Sequence, residues 1–173
     1  MTPSRFSFDP ERSCVWVDAR SNLHPLQTET RGLEGWVELA ADPEGAVDLA
    51  HPVTGELALS VDRLTSGNQL YDRELKRRIE AKKFPTITGR IINFTTTDEA
   101  GRYLVVGDLS FHGKTRTFEH EMSIEFRGGS GIAMKGDYVF DIREFGMKPP
   151  SMLMLRVYPQ VAVRVELHGH LTS

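Results

Sequence analysis

The stretch from Thr115 to Phe126, TRTFEHEMSIEF, constrains the fold more tightly than any other part of the chain. Phe118, His120, Met122, Ile124 and Phe126 alternate with Glu119, Glu121, Ser123 and Glu125. Successive side chains of a strand point to opposite faces, so this run presents one apolar surface and one acidic surface; a helix would scatter the same residues around its axis. Just before it, RYLVVGDLSFHG puts Tyr103, Val105, Leu109 and Phe111 on one side, with Asp108, Ser110 and His112 among those opposite. With Gly113 and Lys114 as a tight turn, the two runs predict an antiparallel hairpin that turns one face to a core.

SCVWVDA, GLEGWVELA, ELALSVD, TITGRIINF and GIAMKGDYVFDI read as further strands, each bounded by Gly, Pro or Asp. The alternation from Leu155 to Gly169 outlasts an ordinary strand, and Pro159, which cannot donate to a ladder, predicts an edge, bulge or bend there. NLHPLQTETRG reads as a loop. RGGSGIAM lacks the Lys-Ser/Thr that follows a phosphate-cradling loop and reads as a hairpin turn. One segment departs from the strand pattern. SGNQLYDRELKRRIEAKKFP places Tyr71, Leu75 and Ile79 four apart between a polar start and Pro85, which predicts one amphipathic helix. Its cations Lys76, Arg77, Arg78, Lys82 and Lys83 are interrupted by Asp72, Glu74 and Glu80 and read as a solvated outer face.

At 173 residues the chain is expected to form one domain over residues 1–173, large enough to bury a core without staples. Seven or more short antiparallel strands with one helix make it all-β, a sandwich or a barrel, and periodicity does not separate the two. A formal net charge of -3, from 21 basic and 24 acidic residues, leaves no global field to recruit nucleic acid. The lone Cys14 excludes an internal disulfide framework and a cysteine-based zinc site. The opening MTPSRFSFDPERS carries no apolar run of signal-peptide length, so the expected compartment is the cytoplasm.

The segments LTSGNQLYDRELKRR, KFPTITGRI, GRYLVVGDLSFHGKTR and FDIREFGM resemble the YceI-like family, with FSFDPERSCVWV similar to its opening strand and VRVELHGHL to its closing one. The most specific pieces are Thr65, Gly67, Asn68 and Asp72 ahead of and within the helix, and Gly107, Asp108, Leu109, Gly113, Thr115 and Arg116 across the hairpin. The resemblance implies an extended, lipocalin-like antiparallel β-barrel of about eight strands with the helix packed against it. It also implies an apolar tunnel that holds a long isoprenoid, such as a quinone or prenyl derivative, with no catalysis and no cofactor or metal. Several members of the family pair as dimers, many are exported, and a carrier of membrane lipids implies passing contact with a membrane. The family usually carries an Arg two residues before the acidic position of Glu144-Phe145-Gly146, where this chain has Ile142 and then Arg143. Read as a strand, that shift moves the charge to the other face and predicts a different or less polar head group.

Every methionine after the first falls between Met122 and Met154. Methionine fills core gaps and also lines surfaces that must fit variable apolar partners. The expected lining of the tunnel is Leu109, Phe111, Phe118, His120, Met122, Ile124, Met134, Phe140, Met147 and Met152. His120 is the one ionisable group amid the Phe118-to-Phe126 face. It reads as a hydrogen-bonded core histidine, as a contact for a ligand carbonyl or hydroxyl, or, in the rival enzymatic reading, as an acid or base on a hydrophobic substrate. His168 and His170 share a strand face, but without a third and fourth ligand at recognisable spacing they read as solvent-facing.

Overall fold

A computed structural model describes residues 2–149, 151–152 and 154–172. Eleven strands and one helix follow in chain order: β1 Ser4–Phe8, β2 Cys14–Ser21, β3 Leu26–Arg31, β4 Glu34–Leu39, β5 Thr54–Ser60, α1 Gln69–Ile79, β6 Thr86–Thr96, β7 Arg102–Phe111, β8 Lys114–Arg127, β9 Gly131–Asp141, β10 Ser151–Met152 and β11 Leu155–Leu171. Single 3-10 turns stand at Val61–Arg63 and Ile142–Phe145. Among the described residues no helix is long and apolar enough to cross a membrane.

The strands β1-β4-β5-β6-β7-β8-β9-β11 pair in that order, and β11 pairs back onto β1, closing an antiparallel eight-stranded barrel. Closure removes the unpaired edges that an open sheet would expose. The long β11 is shared by two partners. β1 lies on it at Phe6–Phe8, and after a kink at residues 9–13 β2 takes over from Glu166 back to Val157. Ser13 sits in that kink, fully buried, where its hydroxyl accepts the amide of His168 at 3.1 Å. On the neighbouring position β3 pairs β2 while β4 pairs β1, so the first part of the chain forms two interrupted strands rather than four complete ones.

The segment read as the loop NLHPLQTETRG is largely strand: Leu26–Arg31 forms β3 through its pairing with β2. The β7–β8 hairpin is as expected, except that its turn is His112-Gly113, both at positive φ (54° and 73°), and Lys114 already opens β8. Positive φ at both central residues matches the twist of the flanking strands, and Gly meets it without strain. Pro159 stands where the β11–β2 register slips between Val157 and Val161. Arg143 is not on a strand. The carboxylate of Asp141 accepts the Arg143 amide at 3.0 Å and starts the Ile142–Phe145 turn, so strand parity does not govern that position. Ile142 packs inward there, and Arg143 lies outside in an ion pair with Asp141 at 2.7 Å.

The helix begins where capping chemistry dictates. Asn68 Oδ1 accepts the amides of Leu70 and Tyr71 at 3.0 and 3.3 Å, satisfying two of the donors that a helix start leaves free. Asp72 receives the Ser66 amide and hydroxyl, both at 2.7 Å, and the Thr65 hydroxyl at 2.8 Å. Burial alone would raise its carboxyl; the Ser66 and Thr65 donors outweigh that and hold it below its usual range. Thr65, Gly67, Asn68 and Asp72 thus form a knot that fixes where α1 starts. The helix ends at Glu80 in the left-handed conformation.

One end of the barrel is packed solid by Phe6, Phe8, Val37, Leu39, Phe94, Tyr103, Ile124 and Ile132. Toward the other end, Ile79 of α1 packs on Val61 and Met147, with Phe111 and Ile142 against them. Between these clusters the barrel is hollow.

Candidate functional site

The hollow is a cavity of about 410 Å³, within the roughly 300–1,000 Å³ usual for small-molecule sites. Its lining follows strand parity. From β11 come Leu155, Val157, Val161, Val163, Val165 and Leu167; from β2 come Val15, Val17 and Ala19. At a rise of ~3.3 Å per residue and a tilt near 40°, the stretch from Leu155 to Leu167 projects to roughly 30 Å along the barrel axis. The site is therefore long, narrow and apolar.

Of the residues expected to line it, Leu109, Phe111, Phe118, His120, Met122, Met134, Phe140 and Met147 all border this one cavity. Ile124 does not: it lies one step deeper in the packed end, beside Tyr103 and Ile132. Alternation assigns a residue to a face but not to a height along the barrel. The side chain of Met152 lies outside the described residues. Met154, its neighbour in the same connection, points outward.

The structure adds residues that sequence reasoning passed over. Tyr71 and Leu75 on α1, and Leu26 and Thr28 on β3, face the same space. Among the described residues, β3 has no strand on its edge away from β2. The Tyr71 ring stands 6.3 Å from His24 at the tip of the β2–β3 hairpin, so α1 covers this side of the cavity. The helical periodicity had marked Tyr71, Leu75 and Ile79 as a core face; only their tertiary position makes them a wall.

A second unpaired stretch lies between β8 and β9. Their ladder runs from Arg127 opposite Gly131 to Met122 opposite Gly136 and stops. From there β8 continues with β7 alone, and β9 with β11 alone. Met122 passes over Gly136, where an added Cβ would lie 2.8 Å from its Cγ. Beyond this fork the wall is closed by rings. Phe118 lies 4.8 Å from Phe140, 5.2 Å from Tyr138 and 5.9 Å from Phe145, centroid to centroid. Tyr138 and Phe140 are 4.7 Å apart. Edge-on and tilted contacts of this kind suit the ring quadrupole.

His120 sits at the upper margin of this seam, its ring 6.0 Å from that of Tyr138. Its Nδ1 is buried and has no hydrogen-bond partner. Burial pushes the imidazole below its usual pKa, and the Asp137 carboxylate pulls weakly the other way, so the ring is held toward its neutral form. Thr28 Oγ1, on the opposite part of the lining, is also buried without a partner. Asp72 and Glu74 border the cavity from α1, but both are engaged: Glu74 takes Arg77 and Arg78, each at 2.8 Å, and is held at about 2 by those hydrogen bonds. Among the described residues no cluster of His, Cys, Asp or Glu could hold a metal ion. His168 and His170 lie on the outer face of β11 as expected; His170 is exposed, while His168 is largely covered there, its Nε2 donating to Glu166 Oε1 at 2.9 Å.

A family model described as a YceI-like domain matches residues 6–169. A comparison with curated proteins finds no match. Several solved structures share the fold. BcnA of Burkholderia cenocepacia superposes with a TM-score of 0.75 at 16% identity, over 93% of this chain and 98% of that one. A polyisoprenoid-binding domain from Saccharophagus degradans, implicated in plant cell wall breakdown, gives 0.75 at 11% identity over 96% and 98%. The YceI protein of Campylobacter jejuni gives 0.62 at 14% identity over 89% and 85%.

Proposed function

Because this chain belongs to the YceI-like family, we propose that it binds a long-chain isoprenoid, a quinone or a related prenyl lipid, and carries or sequesters it without chemistry. One observation carries the reading: a continuous apolar cavity lies along the barrel, lined by β2, β7, β8, β9, β11 and α1. At ~0.8 kcal/mol per buried CH₂, each isoprene unit contributes roughly 3–4 kcal/mol before ordering costs, so a few units bind tightly with no charged anchor.

Two features favour a neutral lipid and binding over catalysis. Burial holds His120 toward its neutral form, and among the described residues its buried Nδ1 has no hydrogen-bond partner to orient the ring as an acid or base. Among the described residues Arg90 is the one cation bordering the cavity, and it stands largely exposed on the outside, 3.7 Å from Asp108. Solvent extraction of purified protein, followed by mass spectrometry, is expected to yield an isoprenoid lipid. Added long-chain quinone is expected to bind in titration calorimetry, and the heat is expected to be lost when the cavity wall is filled. Protein that yields no lipid and binds no long-chain quinone overturns the reading, and turnover of a bound lipid lost in His120→Phe would replace it with the enzymatic one.

A further inference from the structure

Among the described residues, seven large apolar side chains are exposed, and four of them gather at one end of the barrel: Leu23 (59%), Leu70 (61%), Met154 (79%) and Tyr158 (47%). Hydrogen bonds tie the segments that carry them together. Asn22 Nδ2 donates to the Met154 carbonyl at 2.8 Å, and Asn22 Oδ1 accepts the Arg156 amide at 2.6 Å. The hairpin tip bearing Leu23 meets α1 through His24 and Tyr71, beside Leu70. These segments surround the cavity's outer lining of Leu26, Tyr71, Leu75, Leu155 and Val157. The apolar surface therefore continues from the cavity out onto its lip.

Unpaired cations are exposed on the same lip. Arg20, Arg73, Lys148 and Arg156 are exposed there. Among the described residues, Arg73, Lys148 and Arg156 have no ion-pair partner, and Arg20 has only a 3.9 Å approach to Asp18. Of the carboxylates nearby, Glu74 is paired with Arg77 and Arg78 and Asp141 with Arg143, while Asp72 keeps its charge under the Ser66 and Thr65 hydrogen bonds. Glu80 and Glu144 belong to the sealed half of this end, where His112 Nδ1 meets the Phe145 carbonyl at 3.0 Å and its Nε2 meets Glu80 at 2.8 Å. A basic, apolar lip on a chain of net charge -3 is a local design, not a reflection of composition.

We propose that this lip docks on the surface of an anionic bilayer, with Leu23, Leu70, Met154 and Tyr158 entering the headgroup region and the four cations meeting lipid phosphates. Apolar residues ringed by Lys and Arg bind anionic membranes by both terms together. Docked this way, the cavity mouth faces the acyl region, and an isoprenoid slides between bilayer and barrel without crossing water. The proposal takes its purpose from the isoprenoid-binding reading, but its test is independent of it.

The test is flotation with vesicles of phosphatidylcholine and phosphatidylglycerol in equal parts, and of phosphatidylcholine alone. Wild type is expected to bind the mixed vesicles at least about tenfold more tightly, with affinity falling as salt rises. The doubly substituted Arg73→Glu, Lys148→Glu and the doubly substituted Leu23→Glu, Met154→Glu are each expected to lose on the order of tenfold in binding to the mixed vesicles. Titration calorimetry with farnesol in vesicle-free buffer reads the cavity separately and is expected to match wild type in both. Equal binding of wild type to the two vesicle types overturns the proposal, as does undiminished flotation of both variants. Loss of farnesol binding by wild type strikes the isoprenoid reading alone and leaves the flotation result standing.

Discussion

Phe118→Ala tests whether rings hold the wall where hydrogen bonds do not. Past Met122 and Gly136 no ladder joins β8 to β9, and Phe118 touches three rings across the gap: Phe140, Tyr138 and Phe145. Each such pair contributes ~0.5–1.5 kcal/mol, and truncating a core Phe costs about 3–5 kcal/mol. Phe118 is half-buried, so a loss near the lower end, about 3 kcal/mol, is expected. For a chain of this size that lowers Tm by roughly 6–12 °C and, with a urea slope of ~2 kcal/mol/M, moves the midpoint down by about 1.5 M. Phe118→Leu keeps apolar bulk and loses only the ring geometry, so about 1–2 kcal/mol is expected. Val139→Ala, on the exposed side of β9, is the control and should change stability by less than about 0.5 kcal/mol. The opened seam should also release bound quinone faster in stopped-flow measurements. A destabilisation below about 1 kcal/mol with an unchanged release rate would show that the rings do not bear on one another and that something else closes the wall.

Gly89→Leu is expected to abolish quinone binding in titration calorimetry in a folded protein, since a Cβ there meets nothing closer than 3.7 Å and the added side chain enters the cavity; retained affinity would misplace the ligand. Asn68→Ala should cost about 1 kcal/mol in urea melts by freeing the Leu70 and Tyr71 amides, and Asn68→Asp should restore most of it. His120, whose pKa is lowered by burial, contributes stability that is present above the unfolded value near ~6.5 and is lost as pH falls from there through the folded value. Urea midpoints between pH 7 and 5 should therefore fall less steeply in His120→Phe than in wild type, and identical slopes would place the ring in water.

What the sequence made legible was local. The β7–β8 hairpin followed from period-two alternation and a turn glycine, and α1 from its spacing and its Asn68 cap. β3 escaped because its inward positions, Leu26, Thr28 and Thr30, include two polar threonines, and only pairing with β2 makes them a strand. The handover of β11 from β1 to β2 is set by contacts about 150 residues apart in sequence, beyond the reach of any window. The fork after Met122 was invisible for a different reason: β8 and β9 alternate without fault on both sides of it. Parity failed at Arg143 because a side-chain cap on Asp141 had already ended the strand, and it misplaced Ile124 because a face carries no height.

The hollow itself has a sequence cause that parity does not express. Four inward positions around the empty half are glycines, Gly55, Gly89, Gly107 and Gly136, and one more is Ala19. In the ladders these small residues stand opposite large ones: Gly89 opposite Leu57 and Leu109, Gly107 opposite Ile91 and Phe118, Gly55 opposite Ile91. Around the packed end the inward positions are instead mostly Phe, Val, Leu, Tyr and Ile. A strand glycine weakens its sheet by roughly 0.5–1 kcal/mol relative to Ala and leaves apolar neighbours without partners. Stability is thus concentrated at one end, and the other end is left short of contacts that an apolar ligand supplies. Ligand binding must then raise Tm, by an amount that grows with ligand concentration. Filling the glycine band must do the opposite to function: it steadies the empty protein while removing the space that the ligand needs.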